Sequence, residues 1–506
     1  MHRCWLITEI VCMICEQVDQ DSTLALLART ARFFQYALDL LWKEQHDLTL
    51  LLSCMPPDLW EKEEHADQPT VFVSLRRPVV ASDLDRVFFY SHRVKVFTLH
   101  GSVNVAGDPL RKCLLGQALF PNITAVVWND AENSCDLPLY LGPNLKHLGL
   151  ALNDSLVHLG LLSTLLLRFP VLKSIDITIP LSTTTTTGVS TALCHMRTVN
   201  RLTANTLTPA ALLHVAALPG LHVLNLMSVG DVTPEPLPRT DNRFADLKHL
   251  TVGASTIEQC TALIDLCSVS PLQTLFVALD ESERSPPSGW TAFTHALREH
   301  CAHDALQSIF LYHGVSSLPH MQLRPTPSSA ALVPLLAFTR LTSVVLEPPH
   351  GIDLDDGILA DIARAWPCME KLVLGVSGAA EPTPAHRIPR LRALLPFALH
   401  CPKLQSFGVV LDASMPLGGD GSASTQDSLA QITRAGGHRR LHRLLVGYST
   451  ISDADVPGVA RFLSAVFPGL GTMVCARGYV REGAWARVGQ EMSQILATRV
   501  SAGSVA

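Results

Sequence analysis

The residues of this chain that could do chemistry fall into four groups, and none holds the complete set that a reaction or a metal requires. Cys12-Met13-Ile14-Cys15 has the spacing of half a zinc site, but a tetrahedral ion needs four ligands and no second pair accompanies it. His300-Cys301-Ala302-His303 falls at the end of a predicted helix, where the terminal carbonyls favour an imidazole without any metal. Gly418-Gly419-Asp420-Gly421 lacks the following Lys and Ser/Thr of a phosphate loop. Asp353, Asp355, Asp356 and Asp361 suit the first turns of a helix, whose positive end attracts carboxylates, better than an acid–base pair. Nucleophile-elbow, zincin, kinase and dinucleotide-binding patterns are absent. No catalytic residue, metal or cofactor is expected, and binding is the chemistry that remains.

Composition narrows what could be bound. The 506 residues carry a net charge of −6, which argues against nucleic acid, since phosphate recognition needs a basic surface. With 47% hydrophobic and 17% charged residues the chain should bury a large core and leave little for disordered tails. Its 13 cysteines follow no disulfide framework, so reduced thiols in the cytoplasm or nucleus are expected. The first 15 residues contain Glu9 and no small-residue cleavage site, unlike a secretory signal. The most apolar stretch, Leu156 to Leu172, is broken by His158, Arg168 and Pro170 and reads as a buried helix followed by a strand rather than a membrane span.

One six-residue pattern, apolar-x-x-apolar-x-apolar, organises most of the chain. Clear copies start at Leu145, Leu172, Leu221, Leu247, Leu272, Leu306, Leu341, Met369, Leu404 and Leu441, and weaker ones at Val94, Ile123, Val199 and Leu470. The fourteen starts lie 22 to 37 residues apart. In an extended segment the last two apolar residues share one face, and each repeat must stack on a neighbour to cover them. Phe120-Pro121, Phe169-Pro170, Leu218-Pro219, Trp366-Pro367, Cys401-Pro402 and Phe467-Pro468 precede several copies, where proline ends a helix and extends its neighbour. Helix-period sequence lies upstream, over Ser155–Phe169, Pro209–Leu218, Ile257–Val269, Asp353–Trp366 and Asp453–Phe467. Thr208 before Pro209, and Ser452 before Asp453, are the expected N-caps. The run Thr183–Thr187 reads as a solvated spacer.

The residue between the last two apolar positions should face the open side of the sheet. Along the chain it changes from Gly149, Asp176, Asn225 and Thr251 to Phe276, Phe310, Val345 and Val373. An apolar stripe on an open sheet is a candidate target-binding patch, with Lys146, Lys173, Lys248, His249, Lys371, His442 and Arg443 giving it a basic tint. Rim loops or the C-terminal tail could equally cover it. Insertions at 229–243, 281–288, 313–329, 377–389 and 412–425 all follow a strand and so belong on one rim.

Ahead of the repeats stands a different module. Ile10, Ile14 and Val18 form one helical stripe, Leu24, Leu27, Ala28 and Ala31 a second, and Ala37, Leu38, Leu41 and Trp42 a third. This stretch resembles an F-box: Leu6-Ile7-Thr8-Glu9-Ile10, Ile14, Leu24 to Leu27, Arg32-Phe33 and Leu41-Trp42 occupy the family's motif positions, with Ile7 where the family has Pro. The repeats resemble the leucine-rich repeats that follow F-boxes, except that Asn153 alone matches the family's Asn/Cys position.

The expected fold is therefore α/β: a three-helix F-box-like module over 1–45, a connecting region over 46–90 and an irregular leucine-rich-repeat solenoid of about fourteen repeats over 91–506, with parallel strands on its concave face and helices outside. Lys43 to Leu52 should prolong the third helix, and Thr70 to Leu75 should be extended. The resemblance implies the substrate receptor of a cullin-RING (SCF-type) ubiquitin ligase, acting in ubiquitin-dependent degradation. Leu6, Ile7, Ile10, Ile14, Leu24, Leu27, Phe33 and Trp42 would be the adaptor-side candidates, some packing internally instead. The implied partners are a Skp-type adaptor, through it a cullin, and a target protein. The alternative is a repeat scaffold for protein–protein interaction whose N-terminal helices cap the exposed end.

Overall fold

The computed structural model describes residues 7–18, 20–30, 34–63, 71–99, 114, 117–132, 134–230, 243–267, 270–280, 286–313, 326–348, 351–376, 387–414, 423–476 and 481–503. They form two compact units, Met1–Leu221 and His222–Ala506.

The first unit opens with the three anticipated helices, α1 (Thr8–Glu16), α2 (Asp21–Leu27) and α3 (Phe34–Lys43). Cys15, Leu24, Ala28, Ala37 and Leu38 make their common core. Ile7 sits at the N-cap of α1 and supplies no side-chain hydrogen bond there. The third helix does not continue to Leu52. It stops at Lys43, because Gln45 turns its side chain back to donate to the Leu41 carbonyl at 3.2 Å while its backbone enters strand β1 (Glu44–Gln45). Asp47 then accepts from the Thr49 amide at 2.8 Å and opens a separate turn of helix, Thr49–Leu52.

Between 46 and 95 lies an antiparallel hairpin of β2 (Trp60–Glu63) and β3 (Val71–Leu75), followed by the helix Asp85–Ser91. Arg77 ties them together. Its Nη1 and Nη2 donate to Asp83 at 2.7 and 2.9 Å, and its Nε to Asp58 at 2.9 Å. The guanidinium, helped by the Val80 amide, holds the Asp83 carboxyl down at about 2. A carboxyl depressed in the folded state stabilises fully above its unfolded value, about 4, and that contribution disappears as the pH falls toward about 2. Asp83→Asn should therefore flatten the acid-induced rise in hydrogen exchange over 71–91 between these limits, leaving strands elsewhere unchanged; an undiminished acid response would refute the assignment.

The repeats build a parallel ladder in each unit. In the first unit β1, β4 (Val96–Leu99), β5 (Ala125–Trp128), β6 (His147–Ala151), β7 (Ser174–Thr178) and β8 (Arg201–Ala204) pair in that order. In the second the order is β9 (Val223–Leu226), β10 (His249–Ala254), β11 (Thr274–Leu279), β12 (Ser308–His313), β13 (Ser343–Glu347), β14 (Lys371–Leu374), β15 (Ser406–Val409), β16 (Arg443–Gly447) and β17 (Thr472–Cys475). All fourteen copies of the six-residue pattern became strands, each beginning two residues after its first apolar residue. Leu145, Leu148 and Leu150 are buried, as are Leu172, Ile175 and Ile177, and Leu341, Val344 and Leu346. Each such side chain contributes roughly 1.5–3 kcal/mol on burial. Parallel strands alternating with helices, one side chain in and the next out, make this an α/β solenoid of leucine-rich-repeat type.

Helices cover the apolar side. Leu156–Arg168 buries Leu159, Leu162, Leu165 and Leu166, and Ser155 caps it by accepting from the His158 amide. Thr208 caps Pro209–Ala216 through the Ala211 amide, and Asp355 caps Asp356–Ala365 through Ile358. Two expectations need correction. The helix near 453 begins at Val456, because Ser452 hydrogen-bonds to the Asp455 carboxylate instead of to the helix. The threonine run is no spacer: it forms the first turns of Thr183–Leu193, capped by Ser182, with the Thr185 hydroxyl buried and donating to Pro180 at 2.8 Å.

The exposed Asn153 does not ladder. Asn205 Nδ2 instead donates to the Ile179 carbonyl, and the buried Ser449 hydroxyl accepts from the Leu411 amide at 2.8 Å. The helix Glu482–Gly503 closes the last repeat by burying Trp485, Val488 and Met492, with Trp485 Nε1 donating to Ser449 O at 3.1 Å. Of the described helices none is long and apolar enough to cross a membrane.

Candidate protein-binding surfaces

The first surface belongs to the N-terminal module. Turning about 100° per residue round α1, Cys15, Val11, Ile14, Ile10 and Met13 follow one another as a continuous apolar arc. Cys15 and Val11 are buried, Ile14 and Ile10 half-buried, and Met13 is 55% exposed. The arc is wider than the module's own core uses. Ile7 at 46% and Leu26 at 61% exposed extend the same apolar character to the helix start and to α2.

Of the eight candidate residues here, Leu6 and Phe33 lie outside the described residues. Leu24 belongs to the internal core, where Leu27 and Trp42 pack against it. Trp42 stacks on Tyr90 with ring centroids 4.5 Å apart. Ile7 is exposed, and Ile10 and Ile14 are shared between inside and outside. Met13 and Leu26 were not singled out by the motif. A helical wheel contains them, but only the packing of α3 decides which apolar residues stay outside.

Arg93 anchors α3 to its own unit. This buried guanidinium pairs with Asp39, donates from Nη2 to Gln35 Oε1 at 2.6 Å and lies 5.2 Å from the centre of the Phe89 ring. Together with the pairing of β1 to β4, it joins the helical module directly to the first strands.

The second surface is the open face of the second unit's ladder. The register places Phe276 beside Phe310, Phe310 beside Val345, and Val345 beside Val373, so the stripe read from the repeats is one contiguous row. Its depth varies. Val345 and Val373 are 2% and 3% exposed and cluster with Val376, against which Phe310, Tyr312 and Leu445 pack. Phe276 and Phe310 are half-buried, with centroids 6.3 Å apart, and Tyr312 lies 5.5 Å from Phe276. Burial, then the nearby Glu347, pushes the Tyr312 hydroxyl up. Lys371 Nζ sits 6.0 Å from the centre of the Phe310 ring.

Tyr312 continues the period-two alternation past Phe310 and was there to be found. Val376 carried no such signal. It follows Gly375, whose φ of +61° redirects the chain, and it folds onto the sheet because Gly408 offers no side chain. A Cβ at Gly408 would stand 3.2 Å from Val376 Cγ2. The rim insertions lie largely outside the described residues.

The remaining chemical candidates disperse. Cys15 is buried and its thiol is pushed up by that burial, whereas Cys12 is half-exposed. His300 ends the helix Pro287–His300 with Nδ1 2.8 Å from Cys267 O, and His303 Nε2 lies 2.7 Å from Arg298 O. Among the described residues no three His, Cys, Asp or Glu side chains converge on a point that could hold a metal ion. Gly418 to Gly421 lie outside the described residues.

No family model matches this sequence, and no curated protein does. Among solved structures the chain is similar to an internalin from Listeria monocytogenes, at 14% identity over 76% of this chain and 92% of that one, with a TM-score of 0.37. The parallel ladders themselves, not that likeness, carry the fold.

Proposed function

We propose that this protein is a non-catalytic receptor: its N-terminal helices dock onto a Skp-type adaptor of a cullin-RING ubiquitin ligase, and its sheet face holds a target protein. The observation that supports the adaptor half is the exposure of the apolar side chains Ile7, Met13 and Leu26 on a module whose motif order resembles an F-box. Exposed apolar side chains gathered on one small module are characteristic of a docking surface. The receptor would act by proximity, raising the target's effective concentration near the ubiquitin-loaded enzyme. Its compartment would then be the cytoplasm or nucleus.

Met13→Glu combined with Leu26→Glu tests this. Both sites are exposed, so the double variant should melt within about 0.5 kcal/mol per site of the parent chain. Adaptor affinity, read by co-purification and calorimetry, should fall by roughly 100-fold or more, about 2.8 kcal/mol. Failure of the parent chain to bind any Skp-type adaptor, or equal binding by the double variant, would reject the ligase reading.

A second reading has its own support. The run of α3 into β1, with the Arg93–Asp39 pair and the Trp42–Tyr90 stack, is what a solenoid cap requires. If capping is the module's whole role, the double variant keeps every partner of the parent chain.

A further inference from the structure

The open face of the second unit has a chemical direction of its own. Resting on the reading of that face as the target-binding surface, we propose that it takes an acidic, partly apolar peptide segment running across the strands, its carboxylates on Lys371 and Arg443 and its apolar side chains on Phe276 and Phe310.

Two neighbouring rows carry the inference. The first is the apolar row already described. Two residues earlier on each strand, in register, stand Thr274, Ser308, Ser343, Lys371, Ser406 and Arg443. Three hydroxyls, then two cations flanking a fourth, therefore stand in a line parallel to the aromatic and aliphatic one. Continuing that polar row, the exposed His249 pairs with Thr274. Among the described residues of these rows and of the one beyond, the single acidic group from β10 to β16 is Glu347, which is 8% exposed. Solvent-facing charge on this face is positive although the chain as a whole is at −6.

Lys371 and Arg443 form no ion pair with any described residue. The Lys371 ammonium instead lies 6.0 Å from the centre of the Phe310 ring, at the border between the two rows. A half-buried cation beside hydroxyl donors binds a carboxylate more strongly than one in open water. Ser406 stands between the two cations. Strands two apart in a ladder are separated by ~10 Å, and on a peptide in the extended, three-residues-per-turn polyproline-II conformation side chains three residues apart share one face at ~9 Å. One segment with acidic residues at i and i+3, and aliphatic or aromatic neighbours, can satisfy both rows at once. A nucleic acid would need many more cations than this row presents.

A positional-scanning library of extended nonapeptides, including phosphoserine, read against the full chain by fluorescence anisotropy tests the idea. The expected selection is Asp or Glu at two positions three apart with apolar residues beside them. Lys371→Glu and Arg443→Glu should each weaken the selected peptide at least 10-fold, and the double variant should prefer Lys or Arg at those positions. Lys371→Gln, milder for folding, should lose binding without reversing preference, and Lys403→Glu, exposed and outside the rows, should change nothing. The proposal is overturned by a parent chain that selects no acidic position, by an unchanged preference in the Lys371 and Arg443 variants, or by binding confined to phosphoserine. The assay contains no adaptor, so a chain that ignores the adaptor can still pass it and one that binds the adaptor can still fail.

Discussion

Trp128→Ala should cost the first unit about 3–5 kcal/mol and melt its sheet while the second unit keeps its protection. Trp128 occupies the last apolar position of β5 and is fully buried. Its ring centroid is 5.1 Å from that of Tyr140, which in turn lies 5.5 Å from Phe97 and 5.9 Å from Phe120. Four aromatic side chains from consecutive repeats thus fill the space that leucines fill elsewhere. Alanine would open a void among rings too rigid to close it. It would also remove the indole Nε1 donor, which reaches the Asp130 carbonyl at 2.7 Å, a loss of roughly 1 kcal/mol. Trp128→Phe keeps most of the volume and loses only that donor and one ring, so about 1–2 kcal/mol is expected. Hydrogen exchange resolved by peptide should show the loss over 96–99, 125–128 and 147–151. Exchange that rises equally over 308–313 and 443–447 would mean that the two units do not unfold separately.

Such repeats make much of the fold legible from residue types alone. Leu, Ile and Val at fixed spacing located fourteen strands, since nothing but a stacked sheet buries that pattern. Outside the repeats β2 (Trp60–Glu63) escaped, and within the parallel ladder the strand that escaped was β1. Glu44–Gln45 has no apolar alternation, and it joins the ladder by backbone pairing with Val96 and Phe97. Propensity misled at Thr183–Thr187, where a β-branched run looks poor for a helix and a Ser182 cap decides otherwise. The C-terminal helix Glu482–Gly503 carries Trp485, Val488 and Met492 on one side, and its capping role emerged only from what they cover.

The candidate surfaces were legible to a different degree. Lateral contiguity of Phe276, Phe310, Val345 and Val373 follows from the repeat, because register repeats with it. Their depth does not, since Val376 reaches the row through a turn at Gly375 that no periodicity encodes. In the N-terminal module the three helices were plain, but motif position could not separate Leu24, which faces in, from Leu26, which faces out. Two residues apart on a helix point nearly opposite ways, and only the neighbouring helix settles which is covered.

Gly253→Ala should destabilise the second unit by about 3 kcal/mol although it adds a single methyl group to a strand. Gly253 lies in β10, one residue past the Val252–Leu226 pair, and its carbonyl accepts from the Val229 amide at 2.8 Å. A Cβ there would stand 1.9 Å from the Met227 carbonyl oxygen and 2.8 Å from the Met227 carbonyl carbon. Both atoms are backbone, so no side-chain rotation relieves the clash. Either the end of β9 or that of β10 must move, breaking the Val229–Gly253 bond and loosening Thr251, which pairs with Phe276. Overpacking of 1–3 kcal/mol and roughly 1 kcal/mol for the bond lead to the estimate. Gly458→Ala makes the opposite comparison. Gly458 lies inside the helix Val456–Val466 with nothing within 4 Å of an added Cβ, so alanine there should stabilise by about 0.5–1 kcal/mol. Paired denaturant melts would read both signs at once. A Gly253→Ala chain that melts with the parent would show that the edge of β9 yields freely, and with it the fixed register on which the Phe276 row depends.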